Sequence, residues 1–305
     1  MTAVAAYQNA EPAADRIAVR RRSLSQPLLY GALVLCALLT LLPFVWVVGG
    51  SLRGLDEIRS DPGAWLPHHV TLHNFARLFR TQGFGRFLVN SVVVAVMVVV
   101  GNVVAASAAG YALAKLEFAG RRLAFGAVMA AMMVPFTTVF VTQFVITVDL
   151  GLADTLTGIA LPSVALPLSV FIMRQYALSI PDELLEAARI DGAGEFRIFV
   201  RIFLPLAGPA VATITIMSFL TSWNNFVWPL VVALSLSGYT LPVGLAATSQ
   251  AAAHVTDYGL LLAGAIVVML PVLVLFLCLQ RYFVRTSGSP RPRCRCRSPS
   301  RTSPR

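Results

Sequence analysis

The sequence predicts an all-α membrane protein with six transmembrane helices and both termini on the cytoplasmic side. Three observations carry that expectation. Of 305 residues, 57% are apolar and only 12% charged, a balance outside the range of soluble globular domains. Charge-free apolar stretches fall near 28–50, 88–113, 123–147, 156–173, 207–232 and 259–280. Several of them run to 20 residues or more, enough at about 1.5 Å per helical residue to cross a hydrocarbon core of about 30 Å. Lys and Arg also sort by side: nineteen lie in segments this topology puts inside and five in those outside, or thirteen against five without the six arginines beyond residue 286. The net charge of +10 therefore reflects topology. It marks no basic patch, so the expected partner is the lipid bilayer and not nucleic acid.

Residues 1–27 form a cytoplasmic N-tail ending in Arg20-Arg21-Arg22. The apolar run from Leu28 to Val48 is longer than a signal-peptide core and has no small-x-small exit, so it reads as an uncleaved first span, with a kink expected at Pro43. The longest outside connection, Ser51 to Arg86, holds a short interfacial helix that Thr71 can cap, with Leu72, Phe75, Leu78 and Phe79 on one stripe. His69 and His73 have metal-compatible spacing, but with no cysteine nearby they and His68 read as a solvated or partner-facing surface, and no metal is expected.

The second span is rich in small residues, including Ala106, Ala109 and Gly110, which allow a neighbouring helix to come close. Its polar points, Asn90 and Asn102, read as interhelical hydrogen-bonding groups ahead of a translocation path. Lys115, in the following cytoplasmic turn, is the single lysine of the chain, and the residues before it do not supply a phosphate-binding G-x-x-x-x-G-K-[ST] loop. No cofactor is expected on this chain. Met132-Met133-Val134-Pro135 falls in the third span, and Pro162 and Pro167 interrupt the fourth. Mid-membrane prolines free carbonyls that only protein or a water-lined cavity can satisfy. No Asp, Glu, Lys or Arg lies deep in any span, which argues against an ion-coupled carrier. No convergent nucleophile, acid–base pair or metal cluster points to an enzyme.

The one long polar interruption of the second half spans about 179–205. Ser179 is placed to cap a helix, Pro181 suits its first turn, and Asp182 and Glu183 meet the positive end of its dipole. Gly192 then permits a turn before a second helical run with Phe196, Phe199, Ile202 and Phe203 at helical spacing. A helix–turn–helix that speaks to another protein is the expectation, and an amphipathic helix lying on the bilayer is the alternative. The fifth span carries Ser218, Ser222, Trp223, Asn224 and Asn225, hydroxyls, amides and an indole suited to a polyhydroxylated solute in a translocation path. Internal hydrogen bonds and interfacial anchoring explain the same residues equally well. Ser235 to Asp257 is the last outside loop, and a sixth span ends at a basic boundary near Arg285. The Arg-, Ser- and Pro-rich tail 286–305 reads as disordered, and its abrupt change of composition suggests an altered reading frame. Cys36 and Cys278 read as packing residues within spans, and Cys294 and Cys296 fall in the tail.

Glu186-Ala187-Ala188, three residues, Gly192, nine residues, Ile202, one residue and Leu204-Pro205 together fill every position of a known pattern. On these residues the chain resembles the membrane subunits of ATP-binding-cassette (ABC) importers, and the likeness extends over about 28–285. Asp-Pro-Gly-x-Trp-Leu-Pro at Asp61 to Pro67, and the Trp-Asn-x-Phe-x-x-Pro-Leu arrangement at Trp223 to Leu230, are similar to the carbohydrate branch, the MalG-type subunit of sugar importers. The resemblance implies a permease fold in a bacterial inner membrane, with a coupling helix that docks on an ATPase through Glu186, Ala187, Ala188, Gly192, Ile202, Leu204 and Pro205. It also implies a second permease, two ATPase subunits that use ATP and Mg, and an extracytoplasmic solute-binding protein touching the loop from Ser235 to Asp257. A permease for a non-sugar solute and a secondary transporter are the alternatives.

Overall fold

A computed structural model describes residues 13–61, 63–251 and 257–286. The first twelve residues and the tail beyond 286, with its expected disorder and frame change, lie outside the described residues. Helices and turns make up the described residues, with no strand among them. Three unbroken helices are long and apolar enough to cross a bilayer: Gln26–Ser51 within α1 (Ala13–Ser51), α4 (Phe84–Lys115), and Tyr258–Cys278 within α15 (Tyr258–Thr286). Three bent pairs supply the rest. They are α5 (Arg121–Met133) with α6 (Phe136–Asp149), α7 and its 3-10 turn (Leu156–Ser163) with α8 (Pro167–Ser179), and Glu195–Leu206 with α12 (Gly208–Trp223), bent by 102°, 44° and 77°. Counting each pair as one span gives six, as the hydropathy pattern predicts.

Prolines decide where two of the breaks fall. Pro135 and Pro167 each hold the preceding residue, Val134 or Leu166, in extended backbone, which ends a helix. The third span is thus not a straight run over 123–147 but two helices at a sharp angle. The fifth stops at Trp223 without a proline at the break, and α13 (Val227–Val232), which contains Pro229, follows after Asn224–Phe226. Pro43, by contrast, lies inside α1, which continues through it to Ser51. Cys36 and Cys278 face outward from the chain instead of packing inside it.

Two compact units make up the chain. The first combines the described residues up to Gln82 with those of Thr248–Val267. Its centre is Arg53, 2% exposed. The Arg53 guanidinium donates to Glu57 Oε1 at 3.2 Å and to the carbonyls of Glu57, Asp61 and Ala64, so one planar fork gathers α2 (Leu55–Ser60) and the loop after it. Glu57 also accepts the His68 N–H at 2.8 Å; that bond is the main reason its carboxyl sits below the ordinary range, with burial opposing and Arg53 adding. Asn74, 1% exposed, donates to the Ser51 and Arg53 carbonyls at 2.9 and 2.8 Å. The short helix α3 (His73–Thr81) therefore packs through Asn74 and Leu78, while Leu72 and Phe79 of the expected stripe face outward. Thr71 does reach the first turn, accepting the His73 N–H at 3.1 Å. Arg77 pairs with Asp257 at 2.6 Å, ahead of α15.

Replacing Arg53 with Met removes all four donations at once. The expected result is normal membrane insertion with cleavage between Leu55 and His69 by added protease faster by at least about tenfold, the shift that one charge-assisted hydrogen bond carries.

The second unit, Gly83–Ala247 with the described residues from Val268 onward, is built on α4. A Cβ on Gly110 would lie 2.7 Å from the Met173 side chain and 3.0 Å from the Arg174 nitrogen, so α4 and α8 pack with their backbones close. Two apolar clusters divide the length of α4. One joins Val94 and Val98 to Ile159, Trp228 and Val232; the other joins Ala106 and Tyr111 to Met173, Leu185, Ile198, Phe203 and Ile214. Between them lies Asn102, fully buried, donating to Ser169 Oγ at 2.8 Å and to Ser218 Oγ at 2.5 Å and accepting the Leu166 N–H at 3.0 Å. That last bond satisfies backbone freed at the Pro167 break. Asn90 similarly donates to the Ser237 and Tyr239 carbonyls. On the outer side Asp154, in the left-handed region at φ +56°, accepts the Leu234 and Ser235 N–H groups at 3.0 Å each and fixes the start of the last outside loop, within which α14 (Leu241–Ala251) forms.

Candidate functional site

The segment between the fourth and fifth spans folds as a helix, a glycine turn and a second helical leg. Helix α9 (Asp182–Ile190) begins after Pro181 without any side-chain cap. Ser179 does not cap it: it belongs to the last turn of α8, and its hydroxyl donates back to the Tyr176 carbonyl at 2.6 Å. Asp182, at the positive end of the α9 dipole, instead receives Lys115 Nζ at 2.5 Å. That bond and the charge of Lys115 lower its carboxyl pKa. A lowered pKa stabilises the pair above the ordinary carboxylate range, and the contribution is lost as pH falls through the lowered value.

The end of α9 is set by Gly192 at φ +80°. Its N–H meets the Arg189 carbonyl at 3.0 Å and the Ala193 N–H meets the Ala188 carbonyl at 3.0 Å, the paired bonds of a Schellman stop. Space does not exclude a side chain here, since nothing lies within 4 Å of a Cβ on Gly192; backbone sign penalises one. The second leg starts with α10 (Glu195–Ile198), opens into a π turn over Phe199–Phe203, and closes as α11 (Leu204–Leu206). Pro205 has no N–H for the carbonyl one turn back, and the wider turn lies directly ahead of it.

One face of this motif is packed. Leu185, Ala188, Ile198 and Phe203 are buried and Ile202 and Leu204 half-buried, with Tyr111 of α4 against the rings of Phe203 and Phe199 at 4.8 and 5.3 Å. The other face is open. Glu186, Ala187, Gly192 and Pro205 are exposed, and the Glu186 carboxylate accepts no hydrogen bond among the described residues. Ile190 and Phe196 stand beside them at 87% and 80% exposure. Phe196 thus leaves the apolar stripe expected of it: the π turn over Phe199–Phe203 adds a residue to the turn and shifts the helical phase, so that Ile198, not Phe196, shares the inward face with Phe203. The sequence signal for Ile190 and Phe196 as surface residues was weak, because an apolar residue at helical spacing reads as core.

The five residues considered for a solute path have different fates. Ser218 is fully buried, accepting from Asn102 and donating to the Ile214 carbonyl at 2.7 Å; Trp223 is 2% exposed and donates to the Val268 carbonyl at 2.9 Å. Both are committed to internal bonds. Ser222 and Asn225 are half-buried at the α12–α13 break, and Asn224 is exposed, with one amide hydrogen on the Leu220 carbonyl. A cleft that the hydropathy pattern did not reveal lies along α6. Its volume is about 450 Å³, and Thr142, Gln143, Thr147, Ile146 and Pro162 are among its lining residues. Gln143 Nε2 is buried there without a hydrogen-bond partner among the described residues.

Straight and bent apolar spans, joined by a two-legged helical motif with a carboxylate and apolar side chains exposed on it, define the class of a multi-span membrane subunit. The chain belongs to the family described as binding-protein-dependent transport system inner membrane component, whose model matches residues 101–287. It is 38% identical to the arabinooligosaccharides transport system permease protein AraQ of Halalkalibacterium halodurans, over 81% of this chain and 89% of that one. It is 33% identical to the diacetylchitobiose uptake system permease protein NgcG of Streptomyces coelicolor, over 85% of each. Its fold matches a chain in the crystal structure of a bacterial ABC transporter involved in the import of the acidic polysaccharide alginate, with a TM-score of 0.74, 26% identity, and coverage of 87% of this chain and 97% of that one. The chain is therefore an ABC importer permease subunit, a transport component and not an enzyme.

Proposed function

We propose that this permease carries a carbohydrate across a bacterial inner membrane, in an assembly with a second permease, two ATPase subunits and an extracytoplasmic solute-binding protein. The observation that carries the ATPase contact is the open face of α9 and α10. An exposed Glu186 carboxylate with no hydrogen bond among the described residues, a flat Ala187 and two protruding apolar side chains form a surface suited to a protein groove. ATP and Mg are used by the partners. Closure of the ATPases moves this motif, and the bent spans exchange inward-open for outward-open states. The carbohydrate assignment is supported by relatives named for arabinooligosaccharides, diacetylchitobiose and alginate. The loop from Ser235 to Asp257 is the proposed contact with the binding protein.

Ser222, Asn224, Asn225 and the cleft along α6 are the proposed polar points of the solute path on this subunit. The test is ATP-dependent uptake of labelled oligosaccharides by proteoliposomes holding the whole assembly and its binding protein. Gln143→Leu combined with Asn225→Leu is expected to lower uptake roughly tenfold, the effect of two lost hydrogen bonds to a sugar, with assembly unchanged. Failure of every oligosaccharide to accumulate would overturn the carbohydrate assignment.

A further inference from the structure

We propose that Lys115 and Tyr111, on the cytoplasmic end of α4, are positioning residues that turn motion of the α9–α10 motif into motion of the membrane helices. This rests on the coupling role given to that motif above. Each leg of the motif is fastened to α4 by its own polar contact. At the entry to α9, Lys115 Nζ, its side chain 4% exposed, donates to Asp182 Oδ1 at 2.5 Å and to the Ile180 carbonyl at 2.7 Å. At the second leg, Tyr111 donates its hydroxyl to Glu195 Oε2 at 2.9 Å. Glu195 Oε1 in turn accepts from Arg189 Nε at 2.6 Å. Glu195 thereby joins the last turn of α9, the start of α10 and α4 in one hydrogen-bonded junction.

Between these two contacts the end of α4 is itself closed off. Arg121 donates to the carbonyls of Leu113, Ala114 and Leu116, and Arg174 of α8 reaches the Leu113 carbonyl at 3.3 Å while its guanidinium lies 3.8 Å from the Phe125 ring centre. Carbonyls that would otherwise fray are held, so the helix end behaves as a rigid handle. Higher up, the Gly110 contact and the Asn102 bonds fasten the same helix to α8 and α12. A displacement of the motif is therefore imposed on α4, α8 and α12 together. The contacts face α4 and leave Glu186, Ala187 and Gly192 free to meet a partner, so loss of a contact separates docking from transmission.

The experiment uses the complete importer in proteoliposomes, with solute uptake and ATP hydrolysis measured on the same preparation. Tyr111→Phe keeps the ring against Phe199 and Phe203 but removes the hydroxyl, and Lys115→Gln keeps most of the stem but removes the charge. Both variants should retain the ATPase subunits on purification. Together they should lower uptake per ATP hydrolysed roughly tenfold, the effect of breaking charge-assisted hydrogen bonds in the moving parts. The exchange Lys115→Asp with Asp182→Lys tests the same link without leaving a charge unpaired, and should recover part of the ratio lost in Lys115→Asp alone. An unchanged ratio in the assembled double variant, or no recovery by the exchange, would overturn the proposal. If the wild-type chain retained no ATPase, the coupling reading itself would fail; retention of ATPase with an unchanged ratio would sink the α4 proposal alone.

Discussion

Gly192→Pro abolishes nucleotide-dependent transport while the chain still inserts in the membrane. Gly192 holds φ +80° and donates its N–H to the Arg189 carbonyl. Proline fixes φ near about −65° and has no N–H, so it satisfies neither requirement. The stop at the end of α9 is lost, and with it the turn between the legs that carry the exposed Glu186, Ala187, Ile190 and Phe196. Gly192→Ala provides a graded comparison, since a left-handed alanine costs only about 1–2 kcal/mol. It should reduce transport without eliminating it. Full transport by a correctly inserted Gly192→Pro chain would show that the turn has no coupling role.

Asn102→Leu weakens the membrane core more than any change on the exposed faces. The replacement matches the size of the side chain but removes two donations and leaves the Leu166 N–H without its acceptor at the Pro167 break. Within a bilayer no water replaces that acceptor. The expected loss is about 2–4 kcal/mol, from one unsatisfied buried amide and two broken hydrogen bonds. It is read as a lower thermal unfolding midpoint in detergent. Asn102→Leu with an unchanged midpoint would mean that the α4–α8–α12 junction is held by apolar packing alone.

The parts of this fold legible in the sequence are those whose physics is local. Spans announce themselves as charge-free runs because a bilayer tolerates nothing else, and Gly192 stands out because only its residue type takes positive φ without strain. Proline marked the breaks at Pro135 and Pro167, but neither the break at Asn224–Phe226 nor the 102° at Pro135, because the angle depends on what packs on either side. Asn102 was legible as a polar point within a span, whereas its partners Ser169 and Ser218 lie 67 and 116 residues away. Arg53 is one of the five basic residues on the outer side, and its buried position inside that loop depends on carbonyls that only the folded loop brings together. The reading of Ser179 as a cap went wrong for a related reason. The hydroxyl had two local partners available, and α8 extends far enough for the Tyr176 carbonyl to take it.

The open face of α9 is proposed to meet an ATPase subunit. A photo-crosslinking amino acid at Ala187, introduced in the assembled importer in its native membrane, tests this most directly, because Ala187 is exposed and its neighbours Leu185 and Ala188 point inward. A crosslink from Ala187 to an ATPase subunit is expected, lost when Gly192→Pro is added. Crosslinks to lipid alone, with no ATPase adduct in the unmodified background, would mean that the helix lies on the bilayer surface and would contradict the account.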